Sequence, residues 1–454
     1  MSQFIVLLAI YGVIGTAISF YVMKAKQSQE DYFVGGRAIS WFVSAMTYAA
    51  TTYSAFMMVG LVGLSYKTGI GSFIFEIAYL VATLILLSIY GRRIWELGKS
   101  RGFVSPMEMF SDRYGPLTGS VGALIAFVAL IPYTSVQVIG LALIFGNYNI
   151  GFTEGVIVAT VIICLWAFIG GLRGVAITDA LQGLFMIAVA IVAVVWCGSQ
   201  FKGVELSTFP NKVWTPVFFI NLTLPWCFFA LTNPQVVQRL FILKEKRDFT
   251  KMLILFAVFG FLYTVIVTVV GFSAKHGTLA GIFPEVADQD KVIVNVLAQM
   301  GRWLALPLAL SVIFAAVSTA NSIILSLSSM ITRDVIRQKQ NVWFGRFFII
   351  VLTVIVCLFS LTRPNYLVQL SVSSSRILMV FIPLFFGVFH LKRGGRFAGL
   401  FTLLGGFGAA LLFSFLKLDL SSVYTLVAAF LFFLLGVLVD ELIQKPDSKT
   451  AAGG

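Results

Sequence analysis

Apolar runs of about 20 residues recur along nearly the whole chain, and they narrow the possible folds more than any other feature. At about 1.5 Å per residue such a run matches the ~30 Å hydrocarbon core of a bilayer, so each reads as a membrane helix. A membrane β-barrel needs ten-residue strands of alternating polarity, and these are missing. The stretch from Leu253 to Val270 is apolar on every face, which a barrel strand does not tolerate. With 59% hydrophobic and 11% charged residues, the chain is expected to be an all-α polytopic membrane protein in contact with lipid.

Hydropathy marks about thirteen spans, at 4–23, 39–65, 70–92, 117–145, 152–170, 174–200, 215–238, 250–273, 302–330, 343–361, 365–390, 396–416 and 421–443. No linker or soluble domain interrupts them, so residues 1–454 read as one transmembrane domain. With the N-terminus outside, 23 of the 32 Lys and Arg fall on the inner side, 8 on the outer side, and Arg376 lies within a span. The positive-inside bias favours that orientation, with a cytoplasmic C-terminus. Topology therefore accounts for the net charge of +13 better than nucleic acid does. The first run has no basic leader or cleavage site and reads as a retained helix. Cys164, Cys197, Cys227 and Cys357 all lie in apolar runs without disulfide or metal spacing.

Two spans read as broken. Span 2 carries Ala49-Ala50-Thr51-Thr52-Tyr53-Ser54-Ala55 at its middle; span 7 carries Asn221, Thr223, Pro225 and then Thr232-Asn233-Pro234. Such residues free backbone carbonyls at membrane depth, which is tolerable where they line a cavity or coordinate an ion. Tight packing or simple kinks give the same local signature. The two spans lie five apart, as the first helices of two five-helix inverted repeats would.

Three motifs carry a resemblance. They are Tyr32-Phe33-Val34-Gly35-Gly36-Arg37; Gly170-Gly171-Leu172-Arg173 with Thr178-Asp179-Ala180-Leu181-Gln182; and Ala315-Ala316-Val317-Ser318-Thr319-Ala320-Asn321-Ser322 with Thr332-Arg333-Asp334. In this order the chain, from about Asp31 to the end of span 12, resembles the sodium/solute symporter family, whose members carry proline, pantothenate, sugars, sialic acid and monocarboxylates. The resemblance implies a LeuT-type core of two inverted five-helix repeats, spans 2–6 and 7–11, with spans 1, 12 and 13 peripheral. It implies Na+ as coupling ion, held by the carbonyls of Ala50, Tyr53 and Ala315 and the hydroxyls of Ser318 and Thr319. A second ion is implied at Asp179, Ser318, Asn321 and Ser322, although Asn321 stands where a hydroxyl residue is more usual. Phe56, Glu76, Tyr133, Gln137 and Trp226 match solute-pocket or gate positions. Thr52 replaces the aspartate of proline carriers, which disfavours proline.

Each site residue also has a structural reading. The hydroxyls of Ser318 and Thr319 can bond back one turn along their own helix, Asp179 can face a helix N-terminus, and aromatic residues can be core. Glu76, about two turns below the outer face, is expected to face an outer vestibule. Arg376 lies about 15 Å below the start of span 11, close to the midplane. It is expected either to receive a solute carboxylate, making the solute an organic anion or an amino-acid-like zwitterion, or to pair with Glu76 or helix carbonyls. His276 and His390 lie near span ends without a nucleophile or metal motif, so no enzyme is expected. No organic cofactor, nucleic acid or obligate protein partner is implied. The alternatives are a proton-coupled carrier using Asp179 or Glu76, and a transporter-like sensor.

Overall fold

The computed structural model describes residues 2–22, 27–363 and 367–444. Met23 of span 1 and residues 365–366 of span 11 lie outside them. Among the described residues the chain is helical, and one isolated bridge, Ile39 with Leu243, is its β-like element.

After α1 (Ser2–Val22), α2 (Trp41–Thr52) starts at Ser40, whose hydroxyl accepts from Val43 N–H at 3.4 Å. It stops where Tyr53 leaves helical geometry at φ −89°, ψ 82°. A π-turn over Phe56–Leu61 then leads into α3 (Val62–Thr68), bent by 50° from α2. Next come α4 (Gly71–Leu86), prolonged to Arg101, and α5 (Pro116–Gly146).

The expected spans 5 and 6 run as one 50-residue element, α6 (Phe152–Phe201), turned at Gly171 with φ 52° and ψ −162°. A Cβ at Gly171 would lie 2.7 Å from the Tyr32 ring, so the turn requires glycine. Tyr32 closes the contact by donating its hydroxyl to Ala167 O at 2.8 Å. Two of the three sequence motifs therefore meet here.

Span 7 is divided. Thr215 and Pro216 start α7 (Pro216–Cys227), a short piece Phe229–Thr232 follows, and Pro234 restarts the chain as α8 (Pro234–Leu240) after the extended Asn233. The rest is α9 (Phe249–Leu279), α10 (Arg302–Met330), α11 (Val342–Leu361), α12 (Leu367–Leu378, continued to His390), α13 (Arg396–Phe415) and α14 (Ser421–Gln444). Among the described residues ten helices are long and apolar enough to cross a membrane, or eleven with the bent pair α2–α3. The difference from the expected thirteen has two sources: α6 covers two expected spans, and the pieces of span 7 are individually too short.

Helix α10 is almost wholly buried and packs on α6, α5 and α2, while α1, α13 and α14 expose apolar side chains on the periphery. At one end of the bundle Arg37 donates to Phe103 O (2.6 Å) and pairs with Glu30 (2.7 Å); Arg333 pairs with Glu108 (2.6 Å). Ser105 donates to Asp334 at 2.5 Å. The Gly-Gly-Arg and Thr-Arg-Asp motifs thus tie helix ends together. At the opposite end Asp290 accepts the Leu367 N–H at 3.1 Å, fastening the α9–α10 connection to the start of α12. Burial pushes the Asp290 carboxyl up to about 6, opposed by the Leu367 N–H and assisted by nearby Asp288.

Candidate ion and solute site

Where α2 stops, its last carbonyls lose the N–H donors that a continuing helix would supply. Ala50 O instead accepts from Ser318 Oγ at 3.0 Å and Thr319 Oγ1 at 3.1 Å, and Thr51 O accepts from Thr319 Oγ1 at 3.1 Å. Ser318 Oγ also lies 3.1 Å from Ala315 O. Local back-bonding is thus only part of what these hydroxyls do, since both reach across from α10 to the broken end of α2. Ala50, Ala315, Ser318 and Thr319 come together, fully buried, and Tyr53 stands at the break with its N–H on Ala49 O at 2.7 Å. The donor set consists of carbonyls and hydroxyls, whose lone pairs suit a hard monovalent cation. Among the described residues no group of three His, Cys, Asp or Glu could hold a metal ion.

One turn further along α10, Ser322 donates to Ser318 O (2.8 Å) and meets Thr51 Oγ1 (2.8 Å). This is the region expected to hold a second ion, and a side chain that sequence reading had placed in a loop enters it. Arg239, at the end of α8 and with no exposed surface, donates from Nη2 to Ser322 Oγ at 2.5 Å and from Nε to Thr47 Oγ1 at 3.0 Å. Thr47 in turn donates to Asp179 Oδ2 at 2.6 Å, and Arg239 Nη2 lies 3.9 Å from the same oxygen. Asp179 is therefore a buried partner of Arg239, well inside α6 rather than at a helix start. Asn321 is buried with its amide oxygen unpaired. The signal for Arg239 was available: Pro234 restarts a helix, which puts Gln235, Gln238 and Arg239 at i, i+3 and i+4 on one face, and all three are buried.

The expected pocket residues are also brought together, with one exception. Phe56 stacks on Trp226 (centroids 4.6 Å apart), which stacks on Phe229 (5.2 Å). Tyr79 meets both edge-on, and Tyr133 approaches Phe229 at 6.4 Å. Gln137 accepts the Ala55 N–H at 3.0 Å, holding the far side of the α2 break. Glu76 faces this box, within electrostatic reach of the phenols of Tyr53, Tyr79 and Tyr133. It is wholly enclosed rather than open to a vestibule, and neither carboxylate oxygen has a hydrogen-bond partner. The Tyr79 hydroxyl and the indole N–H of Trp226 are likewise buried without partners, while the Tyr133 hydroxyl interacts with Ser54. Tyr79 and Phe229 were missed because aromatic residues in apolar spans carry no distinguishing spacing.

The exception is Arg376. Its Nε donates to Ser422 Oγ (3.0 Å) and its Nη1 to Ser414 Oγ (3.4 Å), so it turns away from Glu76 and the aromatic box toward α13 and α14. There it lines a polar recess of about 510 Å³ with Asn221, Ser414, Lys417, Asp419 and Ser421. Counting residues gives a depth along the helix but not the side to which the residue points. The serines at the ends of α13 and α14 supply the acceptors that a buried guanidinium requires.

A helical bundle with two interrupted elements, uncharged oxygens gathered at one break and an aromatic box beside it defines a carrier of a small ion and a solute. The comparisons agree. A model of the sodium:solute symporter family matches residues 32–406. The sodium/pantothenate symporter of Haemophilus influenzae is 24% identical, over 97% of this chain and 97% of its own length. The osmoregulated proline transporter OpuE of Bacillus subtilis is 22% identical over 99% and 96%, and the sodium/proline symporter of Escherichia coli 23% over 97% and 92%. Among solved structures, a Na+-coupled sialic acid symporter in a substrate-bound outward-open state superposes with a TM-score of 0.78, at 17% identity over 97% of this chain and 98% of that one. The chain belongs to the sodium:solute symporter family. It is a multi-pass membrane transporter with the LeuT-type fold, coupled to Na+, and not an enzyme.

Proposed function

We propose that the protein imports a small amino-acid-like zwitterion across the cell membrane together with Na+, by alternating access, with the N-terminus outside and the C-terminus in the cytoplasm. Na+ is held by the carbonyls of Ala50, Tyr53 and Ala315 and the hydroxyls of Ser318 and Thr319. The ligands come from α2 and α10, so occupancy favours the arrangement in which these two helices are closed on each other. The solute lies against Phe56, Trp226 and Tyr133, beside the break held by Gln137.

The observation that carries the solute class is Glu76, a buried carboxylate without a partner beside the unpartnered donors of Tyr79 and Trp226. An enclosed charge without a partner is costly, and a solute ammonium would relieve it while the free donors receive the solute's acceptors. A simple organic anion loses support, because Arg376, its expected receiver, bonds to Ser414 and Ser422 instead. Glu76 could equally hold a coupling proton, which keeps a proton-coupled carrier as the second reading. Uptake by purified protein in proteoliposomes separates them, using a panel of labelled amino acids, monocarboxylates and neutral sugars with Na+ and proton gradients imposed separately. Saturable uptake of a zwitterion driven by Na+ alone is expected; uptake driven by a proton gradient without Na+ would overturn the coupling, and uptake of sugars only would overturn the solute class.

A further inference from the structure

We infer that Arg239 is a built-in cation that takes the place of a second coupling ion at Asp179, so that each chain binds a single Na+. The inference rests on the sodium reading above. Four elements converge on this guanidinium: α8 carries it, α2 supplies Thr47, α6 supplies Asp179 and α10 supplies Ser322. The two hydroxyls orient it, at 3.0 Å to Nε and 2.5 Å to Nη2, and the carboxylate lies 3.9 Å from Nη2. Arg239 and Asp179 have no exposed surface, so their charges are balanced within the protein.

Two of the ligands expected for a second ion, Ser322 and Asp179, are thereby engaged, while the Asn321 amide oxygen stays unpaired. Ser322 Oγ already receives Arg239 and meets Thr51 and the Ser318 carbonyl, and Asp179 Oδ2 already receives Thr47. Within the Arg239–Asp179 pair the atoms left over are of opposite kinds: Arg239 Nη1 is a donor without an acceptor, and Asp179 Oδ1 is an acceptor without a donor. Fork-to-fork pairing of the guanidinium with the carboxylate would satisfy both without a foreign ion. A second monovalent cation about 4 Å from the guanidinium would bind roughly a thousandfold more weakly, at an effective dielectric constant near 20. The primary site carries less of this penalty because its oxygens lie one turn away along α10, at Ser318 and Thr319, where the repulsion is weaker and Asp179 offsets part of it.

Equilibrium binding of 22Na+ to the purified full chain in nanodiscs tests the count directly. One saturable ion per chain is expected, bound about tenfold or more weakly in Ser318→Ala. Two ions per unmodified chain would overturn the inference and leave the sodium reading intact; no saturable ion would overturn both. Arg239→Gln exposes Asp179 to an external cation and should bind two ions, and Arg239→Gln combined with Asp179→Asn should return to one. An Arg239→Gln chain that folds and still binds one ion would contradict the inference. Should Arg239→Gln alone fail to fold, the double variant, which leaves no charge unpaired, still decides: it is expected to fold and to bind one ion, and two ions in it would contradict the proposal.

Discussion

Two arginines sit below the ends of the helical bundle, and they do opposite things. Arg239 is sealed among α2, α6, α8 and α10, beside the carboxylate of Asp179. Arg376 is half-buried, carries no carboxylate partner among the described residues, and opens onto a recess shared with Lys417 and Asp419. What separates them is the direction the side chain faces, since both lie on helices of the bundle. A charge facing the core must be balanced by protein, while one facing a wet recess can be balanced by water and hydroxyls.

The sharpest way to break this comparison is to truncate both. Arg239→Ala leaves Asp179 buried and unpaired, which costs on the order of 3–5 kcal/mol. It should sharply lower recovery of folded, monodisperse protein in Na+-free buffer, less so where Na+ can occupy Asp179, and Asp179→Asn in the same chain should restore it. Arg376→Ala should leave folded yield within about twofold. Equal loss in both single variants would remove the distinction drawn between the two sites.

A second test moves from folding to solute. Glu76→Gln keeps the shape of the box but removes the charge proposed to receive an ammonium, and should raise the solute concentration for half-maximal uptake by about tenfold or more, about 1.4 kcal/mol. Arg376→Lys should change the same quantity by less than about twofold. A large effect at Arg376 with none at Glu76 would reverse their roles.

The smallest effect lies outside the membrane, where a third buried charge is only partly compensated. The Asp290 carboxyl, held up to about 6 against an ordinary 3.8, binds its proton more tightly in the folded chain than in the unfolded one. Its contribution to stability is therefore fully present below about pH 4 and lost as the pH rises through about 6. The apparent melting temperature of the unmodified chain should fall relative to Asp290→Asn over that window, by on the order of a degree or two, and then stay parallel. A difference that narrows with rising pH would contradict the burial of this carboxyl.

Much of this architecture was legible in the chain itself, for identifiable reasons. The break in α2 shows because small and hydroxyl residues interrupt an apolar run, and Ser318 and Thr319 show because hydroxyls on an otherwise apolar helix are conspicuous. Arg239 was lost because a hydropathy window ends at the first charge, which turns the tail of a broken span into a loop. Arg376 was misdirected because residue counting gives depth and not azimuth, and the serines that receive it come from α13 and α14, 38 and 46 residues away in sequence. The turn at Gly171 became intelligible only once Tyr32 was seen against it. Each of these misses concerns contact between distant segments, which periodicity does not encode.

The central claim is that the coupling ion sits where the broken end of α2 meets α10, and the Na+ dependence of solute uptake tests it most directly. In Ser318→Ala and Thr319→Ala each, one of about five oxygen ligands is removed while the pocket and the Arg239 network keep their partners. The Na+ concentration for half-maximal uptake should rise about tenfold or more, about 1.4 kcal/mol, with maximal rate changing far less. An unchanged Na+ dependence in both variants would contradict the account.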